Sequence, residues 1–203
     1  MGSPGSIDLL PKIKKVACGW AHALLLSESG EAFSIGWNGK GQCGFDPLLK
    51  NQLNQFFPIQ FPNGETPKFV DCAAGKEHSL LLDDKGHLFS FGDGSYGKLG
   101  LNNTNSHYQP QRVQDAMVGS STVPLPPITK VESGMGASHS LIIDHSNQVY
   151  SFGWGGYAQL GQGDSKDYHL PKLIDFGEKV MDAKVGTWHS LILNDANMVY
   201  SFG

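Results

Sequence analysis

The sequence contains few cysteines, no long apolar run and no strong excess of charge of either sign. Its 203 residues carry a formal net charge of -4, which gives no reason to expect binding to nucleic-acid phosphates or to an anionic membrane. No apolar segment reaches the roughly 18 residues that a membrane-spanning helix needs. The three cysteines, Cys18, Cys43 and Cys72, are spaced unlike any zinc motif. We therefore predict no metal, no cofactor, and reduced thiols in an intracellular protein, cytoplasmic or nuclear.

Glycine and proline are abundant, with 26 and 11 residues. This composition is typical of many tight turns and therefore of many short strands. No segment shows a helical period beyond one turn. The first six residues, MGSPGS, resemble the remnant of an expression vector and are excluded from the fold. We assign residues 7–203 to tandem β-repeats.

Four segments align with one another without a gap. Each begins Gly-x-x-His and ends with a glycine that follows the histidine by fourteen residues. A second block ending in glycine extends the first three segments, so that the signature segments are 19–44, 75–100, 136–161 and 186–203. Four such matches indicate tandem copies of one structural unit. The repeat assigns a structural role to Gly19, His22, Gly36, Gly75, His78, Gly92, Gly136, His139, Gly153, Gly186, His189 and Gly203.

Each copy is predicted to form a β-hairpin. A short apolar run, LLL at 24–26 in the first copy, is typical of a strand buried on both faces. A turn ending in Gly or Asn follows, and then an aromatic and β-branched strand. A hairpin of this size cannot bury its apolar surface alone, so neighbouring copies must stack, as the blades of a β-propeller do.

The signatures Gly-x-x-His-(Ser/Ala)-Leu-Leu, Tyr-Ser-Phe-Gly and Gln-Leu-Gly resemble those of the regulator of chromosome condensation repeat family, over residues 13–203. The resemblance implies an all-β, seven-bladed propeller with four-stranded antiparallel blades. This chain would then form a partial propeller of about three and a half blades. The remaining blades would come from a longer parent chain or from another molecule, and whether the truncation is natural or was chosen for expression stays open. Self-association through the open propeller edges is a further expectation.

Catalytic and cofactor chemistry is disfavoured. Residues 92–97 (GDGSYG) match the dinucleotide fingerprint in letters, but no helix is predicted to follow them. The four repeat histidines lie on different blades, too far apart to share a metal, and we predict that their ring nitrogens hold neighbouring backbone. No nucleophile elbow or carboxylate pair occurs, so we assign no catalytic residue and do not expect an enzyme.

The two residues between Gly and His vary among the copies, which leaves them free to carry function. Trp20 and Trp188 are candidate interface anchors, with packing between blades as the alternative. Trp37 and Trp154 share one register and are predicted to be structural. The predicted partner-binding residues on this face are Trp20, Ala21, Lys76, Glu77, Ala137, Ser138, Thr187 and Trp188.

The expected function is that of a non-catalytic protein-interaction module. In the nucleotide-exchange members of the resembled family, acidic residues at these positions face the small GTPase, and Glu77 is the one acidic match here. Regulation of a small GTPase as a guanine-nucleotide exchange factor, on the Ran-type precedent, is therefore the finer expectation. The alternative is a passive targeting or scaffold domain of a larger protein, such as a ubiquitin ligase or a chromatin or ciliary assembly.

Overall fold

The computed structural model describes residues 10–61, 64 and 67–203, and within them the strands form four sheets, here called blades 1 to 4. The predicted vector remnant lies outside the described residues. Blade 1 contains β1 (Ile13–Cys18), β2 (His22–Ser27), β3 (Ala32–Trp37) and β4 (Gln52–Pro58). Blade 2 contains β5 (Phe69–Ala74), β6 (His78–Asp83), β7 (Leu88–Gly92) and β8 (His107–Arg112).

A hairpin of β9 (Asp115–Val118) and β10 (Ser121–Pro124) lies between blades 2 and 3 in the chain. Blade 3 contains β11 (Ile128–Glu132), β12 (His139–Asp144), β13 (Val149–Gly153) and β14 (Tyr168–Leu173). Blade 4 contains β15 (Val180–Val185), β16 (Ser190–Asn194) and β17 (Val199–Phe202). Ser95–Gly97 form one short 3₁₀ turn, so the glycines at 92–97 are not followed by the helix that a dinucleotide site requires.

The strands of each blade follow one another in chain order, and neighbouring strands are antiparallel. The first strands of adjacent blades approach one another, β1 with β5, β5 with β11 and β11 with β15, so the first strand of each blade is the innermost. Three four-stranded blades and one three-stranded blade therefore make a partial β-propeller. This confirms the predicted fold class.

The turn between the second and third strands is built alike in all four blades. Its last residue has a positive φ, which is +94° at Gly30, +81° at Gly86 and +61° at Asn147 and Asn197. The side chain that opens the turn accepts backbone N–H groups. Asp83 Oδ1, for example, accepts two of them at 2.9 and 2.8 Å. The positive φ of its last residue explains why Gly or Asn ends every turn.

The core lies between the blades. Successive side chains of the second strand point to opposite faces, so Leu80 and Leu82 pack towards blade 3 whereas Leu81 packs towards blade 1. All three are fully buried, as predicted for a strand covered on both faces. On blade 4 the corresponding side chains are exposed. Leu191, which corresponds to Leu80, is 37% exposed, and Val199, which corresponds to Leu88, is 63% exposed. Self-association through this open face stays a prediction.

The innermost strands carry ion pairs that link neighbouring blades. Lys15 contacts Asp71 of blade 2, and Lys130 of blade 3 contacts Asp182 of blade 4. These four residues hold the same position in their blades, because each pairs with the third apolar residue of its second strand. The sign of the charge therefore alternates from blade to blade. Lys184 and Glu132 add a second pair between blades 3 and 4.

The Ser- and Pro-rich composition of residues 119–127 predicts an exposed loop, but the segment is partly a strand. Its β10 pairs with β9, and β9 pairs in parallel with β14 through Met117 and Lys172. The loop prediction is wrong for residues 121–124. The physical reason is that the outer edge of blade 3 offers unpaired backbone groups, which the hairpin satisfies while burying Ala116.

Candidate functional site

One end of the propeller carries the loops that join the first and second strands and the third and fourth strands of each blade. We call this end the loop face. Within the described residues its loops are 19–21, 38–51, 75–77, 93–106, 133–138, 154–167 and 186–189. All predicted partner-binding residues lie on these loops.

Histidines beneath the loop face connect each blade to the next. The Nε2 atoms of His22, His78 and His139 each lie 2.9 Å from a serine Oγ of the following blade. The serine of blade 2, Ser79, donates its own hydroxyl hydrogen to the Gln42 carbonyl at 2.7 Å. Because that hydrogen is already used, Nε2 must be the donor, which defines the tautomer of the ring.

The Nε2 partner of each ring is a serine hydroxyl and not the predicted backbone group, whereas His22 also has a backbone hydrogen bond with His78 of the next blade. Burial lowers the pKa of His22 and of His139 to about 4, and it lowers the pKa of His78 well below its ordinary value. The three rings are therefore neutral at physiological pH, and their hydrogen bonds to the serines connect adjacent blades. His189 is exposed, and no described serine lies against it.

The glycine three residues before the histidine makes room for the ring. A Cβ atom on Gly19, Gly75 or Gly186 would lie 2.3, 2.1 or 2.3 Å from Cε1 of the histidine that follows it. Only glycine fits there, which explains the Gly-x-x-His signature.

Gly136 does not occupy the corresponding position in blade 3. The pairing of Glu132 with Leu141 places Gly134 opposite His139, so this loop is two residues longer than the others. A Cβ on Gly136 would meet Thr187 of blade 4 at 3.0 Å and not the histidine. The gapless alignment is therefore wrong in this loop, where Met135 and Gly136 are the extra length.

The eight predicted partner-binding residues differ in exposure. Trp20 and Trp188 are well exposed, which favours the surface over packing between blades. Lys76 holds its ammonium 5.2 Å from the centre of the Trp20 ring. Ala21 and Thr187 are exposed, whereas Lys76, Glu77 and Ser138 are half-buried. Ala137 is fully buried and is therefore unavailable to a partner. Its carbonyl oxygen accepts the Lys76 backbone N–H at 2.8 Å.

Four aromatic side chains form a continuous line on the loop face across blades 2 to 4. The ring centres are 6.3 Å apart for Tyr96 and Trp154, 5.2 Å for Trp154 and Tyr157, and 6.0 Å for Tyr157 and Trp188. We call this line the aromatic row. Tyr96, Tyr157 and Trp188 are exposed by 48%, 58% and 59%. Only Trp188 was predicted as a partner-binding residue.

The two tyrosines occupy the same place in their repeats, three residues after Asp93 and Trp154. That coincidence was the signal in the sequence that could have identified the row. Trp154 is held by its own loop, since its indole lies over Gly156, where a Cβ would be 2.6 Å from Cζ2. Trp37 lies over Gly39 in the same way, as expected for residues of one register.

Blade 2 replaces this tryptophan with a charged pair. Asp93 stands where Trp37 and Trp154 stand in their blades, and Lys98, only 1% exposed, contacts it at 2.6 Å. Burial alone would raise the pKa of Asp93, but hydrogen bonds from Lys98 and Ser95 outweigh it and lower the pKa. The aromatic row therefore ends at blade 2, where a buried ion pair takes its place.

The described residues contain no group of three or more His, Cys, Asp or Glu side chains placed to hold a metal ion. Burial raises the pKa of the Cys43 and Cys72 thiols to about 12, so both are protonated and unreactive at neutral pH. Among the described elements there is no helix long and apolar enough to cross a membrane.

Comparison with known proteins identifies the repeat. The model of the regulator of chromosome condensation (RCC1) repeat matches residues 29–82, 85–143 and 146–193. Human Protein RCC2 is 33% identical over 178 residues, which are 80% of this chain and 33% of RCC2. This chain thus spans about a third of the length of that relative.

Two solved structures share the fold. Human WBSCR16 superposes with a TM-score of 0.78 at 26% identity, over 94% of this chain and 47% of that one. Prp20p from Saccharomyces cerevisiae, described with its binding properties to Gsp1p and histones, superposes with a TM-score of 0.75 at 21% identity, over 93% of this chain and 46% of that one. This chain is a member of the RCC1 repeat family, as its matched repeats, its inter-blade histidines and its glycine signatures together show. Its fold is part of an RCC1-like β-propeller.

Proposed function

We propose that this chain is a non-catalytic protein-interaction module that binds its partner through the loop face. The aromatic row is the observation that carries this proposal. Single exposed apolar side chains are common on protein surfaces, but a contiguous exposed group marks an interaction site. Tyr and Trp are also the residues that most often anchor protein interfaces.

Regulation of a small GTPase is the finer proposal. It is supported by the resemblance of Glu77 to the acidic residues of the nucleotide-exchange members, and by the described binding of Prp20p to Gsp1p. The loop face would grip the GTPase and disturb its phosphate and magnesium contacts, so that nucleotide dissociates faster.

The alternative is a passive targeting or scaffold domain of a longer parent protein, located in the cytoplasm or nucleus. One observation favours it: among the eight predicted loop residues, Glu77 is the single carboxylate, and it is half-buried. A partner could then be held mainly by the aromatic row, without any disturbance of nucleotide contacts.

Nucleotide-release kinetics separate these two proposals. A panel of small GTPases loaded with a fluorescent GDP analogue is mixed with the chain, and the release rate is measured. We expect at least tenfold acceleration for one GTPase, and a loss of most of that acceleration in Glu77→Gln. Binding without acceleration would favour the scaffold alternative, and the absence of binding to any GTPase would remove the finer proposal.

A further inference from the structure

We propose that the aromatic row binds a proline-rich segment of the partner in the polyproline II conformation. This inference rests on the proposed function, because it takes the loop face as the interaction surface and names the chemistry of its ligand. It depends on the spacing of the rings, their hydrogen-bond donors, the charges beside them and the rigidity of Trp154.

The row is long enough for an extended proline-rich chain. Neighbouring ring centres of the row are 5.2 to 6.3 Å apart. A polyproline II helix advances about 3.1 Å per residue with three residues per turn, so it presents the same face about every 9.3 Å, which lies within the length of two steps of the row. The three steps would therefore accommodate a segment of about six residues, whose proline rings stack on exposed aromatic faces.

The row also supplies unused hydrogen-bond donors. Nearby bonds are made by the Tyr157 backbone N–H to Gln159 Oε1, at 2.8 Å, and by the Thr187 hydroxyl. The indole N–H and phenol O–H groups of the row itself bond to no described residue. Polyproline II has no internal hydrogen bonds, so its carbonyl oxygens are free acceptors for these donors. Aromatic faces combined with such donors are what proline-rich ligands require.

Two of the charged groups beside the row are already paired within the chain, and Lys166 of the loop 154–167 lies 4.0 Å from Asp164. Lys98 is paired with Asp93 at 2.6 Å, and Asp167 accepts the Gly155 backbone N–H at 2.9 Å. A strongly acidic or basic peptide would find no free counter-charge in these groups. An uncharged, apolar ligand with carbonyl acceptors is the better complement.

The central ring of the row is held in place before a ligand arrives. The Trp154 indole is packed over Gly156 and lies edge-to-face with Tyr157 at an interplanar angle of 77°. A fixed ring loses little freedom on binding, and a polyproline segment is itself stiff. Both partners are therefore preorganised for association.

Nuclear magnetic resonance of the tryptophan side chains tests this inference. The chain has four tryptophans, so a nitrogen-15 spectrum shows four indole N–H signals. The probe is a blocked decaproline peptide, and the control is a glycine–serine peptide of equal length. We expect decaproline to shift the signals of Trp154 and Trp188 and to leave those of Trp20 and Trp37 in place.

Two exposed residues of the row provide variants that do not disturb the core. Tyr157→Ala and Trp188→Ala should each weaken decaproline binding at least fivefold, and Tyr157→Phe should weaken it less, because it removes only the donor. Trp37→Ala is the matched control, since Trp37 packs over its own glycine in blade 1, outside the row. Its affinity for decaproline should equal that of the unaltered chain.

The other possible occupants are outcomes that overturn the inference. A lysine-rich peptide that shifts the row signals when decaproline does not would identify a basic ligand. Shifts that depend on protein concentration alone would identify a second copy of the chain. A GTPase that binds the loop face while decaproline produces no shift would refute this inference and leave the proposed function intact.

Discussion

At the scale of single residues, the inter-blade histidines determine how the fold responds to acid. Each buried ring is hydrogen-bonded through Nε2 to a serine hydroxyl, and each is neutral because burial disfavours its charged form. Protonation would place a buried charge between two blades and would add a proton to Nδ1, which has no hydrogen-bond partner among the described residues. The contacts between blades are therefore most stable when the histidines are neutral.

Stability should consequently fall as the pH falls. In the folded state the pKa of His22 and His139 is about 4, against an unfolded value of 6.5, so the unfolded chain binds more protons between these two pH values. The free energy of unfolding is fully retained above pH 6.5 and should drop by up to about 1.4 kcal/mol per pH unit for each such histidine down to pH 4. Urea unfolding at several pH values measures this slope.

A variant of one buried histidine tests this prediction. His139→Gln should reduce the slope, because glutamine does not titrate. A free energy of unfolding that is constant from pH 7 to pH 4 would contradict the buried neutral histidines.

At the scale of the structural element, one loop shows how three positions depend on one another. Blades 1 and 3 combine Trp, Gly and Gln at the positions where blade 2 has Asp93, Ser95 and Lys98. The glycine accommodates the indole, and the glutamine Oε1 accepts a backbone N–H of its own loop. The lysine of blade 2 instead neutralises the carboxylate.

Changing one of these positions alone should therefore destabilise blade 2. Lys98→Gln leaves the Asp93 carboxylate buried without its cation, and we expect a loss of about 3 kcal/mol in the free energy of unfolding. The triple variant Asp93→Trp/Ser95→Gly/Lys98→Gln copies the loop of blade 3 and should recover most of that loss. Denaturant unfolding of both variants checks this. A triple variant no more stable than the single one would show that the three positions are independent.

The elements themselves could be predicted from the sequence, whereas several of their contacts could not. The apolar run and the Gly or Asn turn identify each hairpin locally, because a strand and a tight turn depend on adjacent residues. The two extra residues of blade 3, Met135 and Gly136, could not be recognised from the sequence. Gly136 stands three residues before His139 and therefore matches the Gly-x-x-His signature, although Gly134 holds the structural position. The aromatic row is formed between blades, and the repeat period alone does not say that Tyr157 reaches Trp188.

At the scale of the whole molecule, the charge at one position of the inner strands alternates in sign from blade to blade. Asp71 lies between Lys15 of blade 1 and the Val131 backbone N–H of blade 3, which it contacts at 3.2 Å. Asp71→Lys should reduce the free energy of unfolding by about 1 kcal/mol, a modest value because Lys15 is partly exposed. The exchange Lys15→Asp/Asp71→Lys should restore part of the loss. Thermal unfolding at low and high salt measures both effects, and equal stability of all variants would rule out a role for the charges.

The same alternation has a consequence for a closed ring. A strict sequence of positive and negative residues can run all the way round only if the number of blades is even. The seven blades that the family resemblance implies are an odd number, so at least one junction must bring together two residues that do not attract each other. That junction would lack the attraction between these two positions and would depend on the other contacts between its blades.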